Sequence, residues 1–258
     1  MSIIVKHNAG FFSCCSVKLD KIIEYINLHS KLPENIDCSN LFIWYKKKGE
    51  KRDITYDYFE HYGNIEQDIK PKIDYKQNKQ FSNYKYLDYT NITPVIKKYF
   101  SPSKNILQII NNMEQKYKLD YNNLCVLFYR GNDKKRETKL CKYDEYLKYA
   151  NSILKENPDI KFLIQSDETE FITFITSRFP NNSFYFKDEI RHVNKCNSTV
   201  DKIMRNKNNE FSKYYLAITI IMSKCKYIIC GSGNCSIWIM LYREHNENVF
   251  QYLKGEWV

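Results

Sequence analysis

A short polar turn between a buried strand and a helix is the strongest chemical signal in the sequence. Residues 226–238 read Lys-Tyr-Ile-Ile-Cys-Gly-Ser-Gly-Asn-Cys-Ser-Ile-Trp. Such a turn points successive backbone N–H groups toward an anion at the positive end of a helix, which favours a bound phosphate. The alternative is that Asn234 or Ser236 caps the helix and the glycines only form the turn. The residues that would contact the anion are Gly231, Ser232, Gly233, Asn234, Cys235 and Ser236.

A second charged turn follows the predicted strand Leu124–Tyr129. Arg130 can donate two parallel hydrogen bonds to a phosphate, and Asp133 can orient that arginine. Lys134 adds a second cation, and Gly131 would let a ligand approach the backbone. The alternative is a solvated cluster of charges on a loop.

Acidic residues follow a third buried strand, in the run Phe-Leu-Ile-Gln-Ser-Asp-Glu that ends at Glu168. Ser166 or Asp167 can cap the next helix, and Glu168 suits the positive end of its dipole. The functional alternative is that Asp167, with Ser166, holds a ribose hydroxyl or the edge of a nucleotide base.

The first turn of the chain carries a histidine, in the run His-Asn-Ala-Gly-Phe-Phe-Ser over residues 7–13. His7 could act as a general base or donate to a substrate, whereas a lone histidine at a strand end is more often structural. Asn8, Gly10 and Phe11 complete this turn as candidates for substrate contact.

The order of elements predicts how these turns come together. After residue 119, short apolar runs alternate with amphipathic helical segments, which is typical of a parallel sheet covered by helices. Ligands bind such sheets at the carboxyl ends of the strands, where the rare glycines of this chain are concentrated. The predicted strands are Leu124–Tyr129, Ile160–Gln165, Ser183–Phe186, Tyr227–Cys230 and Asn248–Tyr252, and the predicted helices are Asp144–Lys155, Thr169–Phe179, Glu210–Lys224 and Cys235–Arg243.

The first hundred residues repeat this pattern less clearly. We therefore expect two Rossmann-like halves, a reduced one at 1–118 with a long polar loop and a linker helix, and a second at 119–258. The elements predicted in the first half are a strand at Ser2–Val5, a helix at Val17–His29, a strand at Leu41–Tyr45, a loop over 63–89, and a helical segment Thr93–Tyr117 interrupted at Ser101–Pro102.

The composition limits the class of protein. Of 258 residues, 43% are hydrophobic and 27% charged, which indicates a globular chain and excludes a disordered or collagen-like one. The net charge of +10 suits an anionic partner, although Lys, Asn, Ile and Tyr all have AT-rich codons and part of the excess reflects base composition. Nine scattered cysteines predict reduced, buried thiols, no structural metal and a cytosolic compartment, the host cytoplasm for a viral protein. No apolar run reaches the roughly 20 residues that span a bilayer, so no membrane span is expected.

Taken in order, these motifs resemble the donor-binding half of the fucosyltransferase superfamily, which includes the α-1,6-, nodulation-factor and protein O-fucosyltransferases. The resemblance covers about residues 124–246: Arg-x-x-Asp-Lys after a strand, a strand followed by Ser-Asp-Glu, and Gly-Ser-Gly-Asn before a helix. It implies a GT-B fold with a nucleotide sugar in the cleft between the halves. It also implies inverting transfer from a GDP-sugar, fucose first, to a glycan or protein acceptor, without an obligatory metal or other cofactor.

The resemblance assigns roles to individual residues. Arg130 matches the arginine that contacts the donor diphosphate, and Asp133 matches the aspartate of the same motif. Asp167 matches the acidic position after the middle strand. The segment Ser232–Asn234 matches the turn that holds the β-phosphate, while the segment Asn8–Phe11 loosely matches the first turn, which faces the acceptor.

Two departures and two other classes of protein define the alternatives. Phe128 stands where the family has histidine, and Gly131 where many members have a second arginine, which suggests a homologue that binds the nucleotide sugar without turning it over. The charge and 22 tyrosines suggest a nucleic-acid-binding module, but no recognised motif for one is present, so no specific nucleic acid is expected. A Rossmann dehydrogenase is disfavoured because a GxGxxG sequence is absent.

Overall fold

The computed structural model of the protein describes residues 2–60 and 72–258. Its strands are β1 (Ser2–Lys6), β2 (Asn35–Asn40), β3 (Phe59–Glu60), β4 (Ser101–Pro102), β5 (Leu124–Tyr129), β6 (Lys161–Ser166), β7 (Ser183–Phe184), β8 (Tyr227–Gly231), β9 (Val249–Leu253) and β10 (Glu256–Trp257). Its helices are α1 (Phe11–His29), α2 (Tyr89–Tyr99), α3 (Lys104–Tyr117), α4 (Tyr143–Glu156), α5 (Thr169–Arg178), α6 (Val200–Ile203), α7 (Asn208–Lys224) and α8 (Asn234–Arg243).

A six-stranded sheet lies in the second half of the chain, in the order β10-β9-β8-β5-β6-β7. All neighbours are parallel except β9 and β10, which pair antiparallel at one edge. The chain builds outward from β5 to β6 and β7, then returns to add β8 and β9 on the other side of β5. Such a reversal opens a crevice at the carboxyl ends of the two central strands. The residues that follow β5 and β8 therefore face the same crevice.

Burial explains why these segments fold as they do. Strand β5 is buried at every position and β6 at five of six, as expected for central strands covered on both faces. Helices α7 and α8 are buried along the runs Leu216–Ser223 and Cys235–Leu241. Helix α7 packs against α3 and α8, and α4 packs against α5. The strands and helices predicted for this half are confirmed to within two residues at each end.

Residues 2–60 contain a smaller parallel sheet, in which β1 pairs with β2 and α1 connects them. The prediction of a strand at Leu41–Tyr45 is wrong, because the strand lies earlier, at β2. Leu41, Phe42 and Tyr45 are buried, but they lie in a turn where Phe42 has a φ of 55°. Strand β2 is polar, with only Cys38 buried, so its sequence lacks the apolar signal of a strand. Helix α1 begins at Phe11, earlier than the predicted Val17.

The long loop predicted over 63–89 is only partly covered, because residues 61–71 lie outside the described residues. Its described part is not structureless. It has 3₁₀ turns at Gln77–Phe81 and Tyr84–Tyr86, and it buries the rings of Tyr75 and Tyr84. Because the residues between these aromatic side chains are polar, the sequence pattern does not indicate that the segment is packed.

Helices α1, α2 and α3 of the first half pack against α7 and α8 of the second. The helical prediction over 93–117 with a break at 101–102 is confirmed, since β4 separates α2 from α3. Helix α2 packs on α8, and α3 packs on α7. Ser16 of α1 donates to Asn234 Oδ1 at 2.8 Å and accepts from Trp238 Nε1 at 3.0 Å. The first half thus contacts α8 near its N-terminus.

Candidate functional site

A cavity of about 360 Å³ opens where β5 and β8 end. This volume lies in the range of small-molecule sites. Its walls come from both halves of the chain: residues 9–13, 44 and 80 from the first, and residues 128–130, 133, 134, 137–141, 199, 201, 202, 215 and 231–236 among those from the second. The position is the one that the reversal of strand order predicts for a ligand.

The turn before α8 forms one wall of this cavity. In the first turn of the helix, the N–H groups of Asn234, Cys235 and Ser236 have no carbonyl of the helix to bond, and these residues line the cavity. Gly233 has a φ of 154°, a conformation that favours glycine. A Cβ placed on Gly233 would lie 3.7 Å from the Nζ atom of Lys134, so an ammonium group sits beside the helix N-terminus. Backbone amides at a helix N-terminus beside a lysine are groups that favour a bound anion.

The side chains of this turn are engaged in holding it. Ser232 Oγ donates to the carbonyl of Tyr252 and accepts from Gln251 Nε2, both at 2.9 Å. The N–H of Gly233 donates to the hydroxyl of Tyr84 at 3.2 Å. Ser236 is buried and also lines the cavity. The backbone amides of α8 are therefore better placed than the Ser232 hydroxyl to bind a ligand.

Arg130 reaches the cavity from the end of β5 and is held on three sides. Its Nε donates to Asp167 Oδ2 at 3.0 Å, and its Nη1 donates to the hydroxyl of Tyr215 at 3.1 Å. Its Nη2 lies 3.6 Å from Asp133 Oδ1. The side chain keeps 25% of its surface exposed, so it is fixed in place while still open to a ligand. The predicted pairing of Arg130 with Asp133 is present, and Asp167 is a second, closer partner.

Gly131 has a different role from the one its sequence context suggests. A Cβ at this position would lie 2.0 Å from Oε1 of Glu168, so the space beside Gly131 is filled by a buried carboxylate and not left for a ligand. Glu168 accepts from the N–H of Asn132 at 2.6 Å and from the hydroxyl of Tyr143 at 2.5 Å. The close contact explains why no side chain is present at residue 131.

Ser166 and Asp167 stand behind the cavity wall. Ser166 Oγ accepts from the N–H of Glu168 at 3.0 Å, and Asp167 Oδ1 accepts from the N–H of Gly131 at 2.9 Å. Neither residue lines the 360 Å³ cavity, but both line an adjacent cavity of about 50 Å³ on the other side of Arg130. The Ser166 contact holds the turn after β6, and the Asp167 contact holds the loop after β5.

A charged rim completes the wall formed by residues 133–139. Lys134 is buried, and its Nζ donates to Glu137 Oε2 at 2.5 Å. Asp133, Glu137 and Lys139 also line the cavity. The rim therefore presents two lysines beside Arg130, together with two carboxylates.

The residues of the first turn divide into two groups. Gly10 and Phe11 line the cavity at the N-terminus of α1, where the N–H of Phe11 donates to the hydroxyl of Tyr45 at 2.7 Å. Asn8 is exposed, and neither Asn8 nor His7 lines the cavity. His7 Nε2 instead bonds Ser13 Oγ at 2.8 Å, and burial lowers the pKa of His7. Two helix N-termini, those of α1 and α8, thus point at one cavity.

Several cavity residues escaped the sequence analysis. The hydroxyl of Tyr215, in the middle of α7, accepts a hydrogen bond from Arg130. The sequence contains no sign of this contact, because Tyr215 lies in an apolar helix. Trp44, Asp201 and Lys202 line the cavity from segments without a motif. Asp201 and Lys202 belong to the short helix α6, where Thr199 at the N-cap is the signal that could have drawn attention to them.

The comparisons with known proteins identify the fold. No family model and no curated protein matches the chain. Among solved structures, NodZ α-1,6-fucosyltransferase soaked with GDP-fucose matches with a TM-score of 0.56 at 8% identity. NodZ co-crystallised with GDP matches with 0.60 at 11%, and fucosyltransferase NodZ from Bradyrhizobium with 0.56 at 10%. Each alignment covers 100% of this chain and 97% of the other.

The chain has the GT-B-like fold of these fucosyltransferases. This confirms the α/β fold class expected from the motifs. Within residues 2–60 and 72–258, no group of three or more His, Cys, Asp or Glu side chains is arranged to hold a metal ion. No helix in the same part of the chain has the length and apolar character needed to cross a membrane. All nine cysteines are free thiols, and eight of them are buried.

Proposed function

We propose that the protein is an inverting glycosyltransferase that transfers a sugar, fucose first, from a GDP-sugar to a glycan or protein acceptor. One observation carries the proposal: Arg130, Lys134 and the N-terminus of α8 converge on one cavity at the reversal of strand order. In this reading residues 119–258 bind the donor, and residues 1–118 supply the acceptor side through Gly10 and Phe11.

The geometry suits the departure of a nucleoside diphosphate. As the bond to the sugar breaks, negative charge develops on the leaving phosphate. A fixed guanidinium, an ammonium and oriented backbone amides stabilise that charge without moving. Asp167 and Tyr215 hold Arg130 in place, so Asp167 acts by positioning the arginine. Because these groups supply the positive charge, we expect transfer to continue in the presence of EDTA.

Inverting transfer also needs a group that accepts the proton of the acceptor hydroxyl. His7 does not line the cavity, whereas three carboxylates from residues 2–60 and 72–258 do: Asp133, Glu137 and Asp201. Asp133 pairs with Arg130, and Asp201 accepts from Arg191 and Tyr45. Glu137 accepts from Lys134 Nζ, a partner that it would have to share with the donor phosphate. It is the most exposed of the three, with 41% of its side chain accessible, and we propose it as the base.

The donor site is tested first by thermal unfolding with GDP, UDP, dTDP and CMP and with their sugars, each with and without EDTA. A ligand that binds only the native state raises the unfolding temperature. We expect a shift with GDP and GDP-sugars that EDTA does not change. A protein that no nucleotide stabilises would contradict the proposal.

The site assignment is tested by Arg130→Ala, with Lys135→Ala as the matched control. Lys135 is exposed in the same loop and does not line the cavity. Loss of hydrogen bonds to a charged phosphate costs about 1.5–3 kcal/mol, so Arg130→Ala should weaken GDP binding about 10- to 100-fold and abolish transfer. Equal GDP affinity in the two variants would refute the assignment.

A binding-only homologue is the second candidate, favoured by two features of the site. Phe128, which replaces the histidine of the family motif, is buried at the cavity wall. The space of a second arginine is filled by Glu168. Following GDP-fucose by chromatography separates the candidates, because an enzyme consumes the donor and a binding protein returns it intact.

A further inference from the structure

A run of six consecutive exposed residues lies at the rim of the cavity. It covers residues 202–207, reads Lys-Ile-Met-Arg-Asn-Lys, and forms the end of α6 and the 3₁₀ turn that leads into α7. Three cations thus flank two large apolar side chains. Ile203 is 51% exposed and Met204 is 37% exposed, although both could have been buried in a core. Of the six, only Lys202 also lines the cavity.

A second exposed segment, residues 43–48, lies beside the first. The side chain of Asn208, at the start of α7, donates to the carbonyl of Trp44 at 3.2 Å, and that of Asn209 donates to the carbonyl of Tyr45 at 2.8 Å. The Nζ of Lys202 lies 5.9 Å from the centroid of the Trp44 ring. The second segment adds exposed side chains of the same two kinds, one apolar and two cationic: Ile43, Lys47 and Lys48. We call the exposed side chains of residues 43–48 and 202–207 the basic apolar patch.

The cations of residues 202–207 lack acidic partners in the described part of the chain. Lys202, Arg205 and Lys207 form no ion pair within residues 2–60 and 72–258. Asp201, which precedes them, already accepts from an arginine and a tyrosine. Residues 202–213 contain four cations and one carboxylate, that of Glu210. The patch is therefore positively charged, and its charge is not neutralised by neighbouring side chains.

We propose that the basic apolar patch docks on the surface of an anionic membrane. Its cations would bind the phosphate and carboxylate groups of lipid heads, and its apolar side chains would enter the boundary between head groups and acyl chains. Each of these signals is weak alone, and together they give reversible membrane binding. The net charge of +10 adds attraction to the same surface. A nucleic acid would match the cations but would leave Ile203 and Met204 in water.

The docked protein would hold the rim of its cavity at the lipid head groups, because Lys202 belongs both to the patch and to the cavity lining. The proposal concerns a surface outside the donor site. It goes beyond the proposed function, and it does not depend on which nucleotide or acceptor the cavity binds.

Co-sedimentation of the full chain with vesicles tests the proposal at an ionic strength of about 0.1 M. One set of vesicles is phosphatidylcholine alone, and the other contains about 30% phosphatidylserine. We expect binding to the anionic vesicles and little binding to the neutral ones. Each cation near an anionic surface strengthens binding about fivefold, so Arg205→Ala/Lys207→Ala should weaken it about 25-fold. Ile203→Ser/Met204→Ser, which keeps the charge, should weaken it at least about tenfold.

Each double variant has a matched control elsewhere on the surface. Lys148→Ala/Lys155→Ala removes the same charge from exposed positions of α4, which packs on α5. Leu28→Ser/Tyr86→Ser removes apolar side chains that are 75% and 80% exposed. The controls should bind anionic vesicles within about threefold of the wild type, because charges beyond a Debye length are screened. All variants should unfold at the wild-type temperature.

Four outcomes would overturn the proposal. The wild type binds neither kind of vesicle, or it binds both equally well. Each patch variant binds anionic vesicles as its matched control does, which would reduce the binding to the overall charge of the chain. Mixed-sequence duplex DNA binds the protein more tightly than the anionic vesicles do. GDP binding is measured on the same samples and should be the same in all of them, since none of the substituted residues of the patch lines the cavity.

Discussion

The contact between Gly131 and Glu168 makes a sharp prediction about the loop after β5. In Gly131→Ala the new Cβ would stand 2.0 Å from Oε1 and 2.1 Å from Cδ of Glu168. The carboxylate is the end of a side chain, but it is fully buried and accepts from the N–H of Asn132 and the hydroxyl of Tyr143. The substitution must therefore displace it from both donors.

The magnitude follows from those two hydrogen bonds. Each bond to a charged group contributes about 1.5–3 kcal/mol, so their loss should reduce the free energy of unfolding by about 3–6 kcal/mol. Glu168→Ala loses the same bonds and should cost a similar amount. The two changes are not additive, because once the carboxylate is removed the Cβ at residue 131 meets no obstacle from it. The double variant should lie within about 1.5 kcal/mol of Glu168→Ala, a margin that is small beside the cost of either single change.

Urea unfolding of the wild type, the two single variants and the double variant measures this cycle. Gly10→Ala is the control, because a Cβ there finds its nearest neighbour 4.0 Å away and should change stability by less than about 1 kcal/mol. A double variant that loses the sum of the two single costs would refute the reasoning. So would a Gly131→Ala protein as stable as Gly10→Ala.

Three further predictions concern the turn before α8 and the first turn of the chain. Ser232→Ala removes the bond to Tyr252, so it should reduce the free energy of unfolding in urea by about 1–3 kcal/mol. GDP affinity should change less than threefold. A loss of GDP binding free energy larger than the loss of unfolding free energy would show that the hydroxyl binds ligand. Tyr84→Phe leaves the N–H of Gly233 without its partner, so the free energy of unfolding in urea should fall by about 1–3 kcal/mol; a variant as stable as the wild type would contradict this. Burial lowers the pKa of His7 from its usual 6.5, so the unfolded chain binds more protons, and stability should be lost as the pH falls below about 6.5; unfolding of His7→Gln between pH 7 and 5 should show a shallower loss.

The second half of the fold could be predicted because its signals are local. Strand β5 is an uninterrupted apolar run, and α7 and α8 are apolar around most of their surface. Strand β2 could not be predicted, because it is a polar edge strand in a two-stranded sheet. The buried residues near Phe42 gave the stronger hydrophobic signal but belong to a turn.

The turns that line the site could be predicted from the sequence, but the contacts between their side chains could not. Arg130 and Gly233 stand in turns whose composition indicates an anion site. The bonds from Arg130 to Asp167 and Tyr215 join residues 37 and 85 positions apart, and no spacing rule connects them. Likewise, glycine at residue 131 indicated a backbone requirement, but only the structure shows that Glu168 imposes it.

The pairing of β5 with β8 has a consequence for how the protein folds. The loops after β5 and β8, which line the cavity together, are separated by about a hundred residues, and β6 and β7 lie between them in the chain. Contacts of such long sequence separation form slowly, because closing the loop costs conformational entropy before the contacts offset it. A chain in which β8 has not yet paired with β5 would therefore lack the cavity. Nucleotide binding would then occur only after the sheet has assembled, and a bound nucleotide would stabilise the fully folded state relative to partly folded ones.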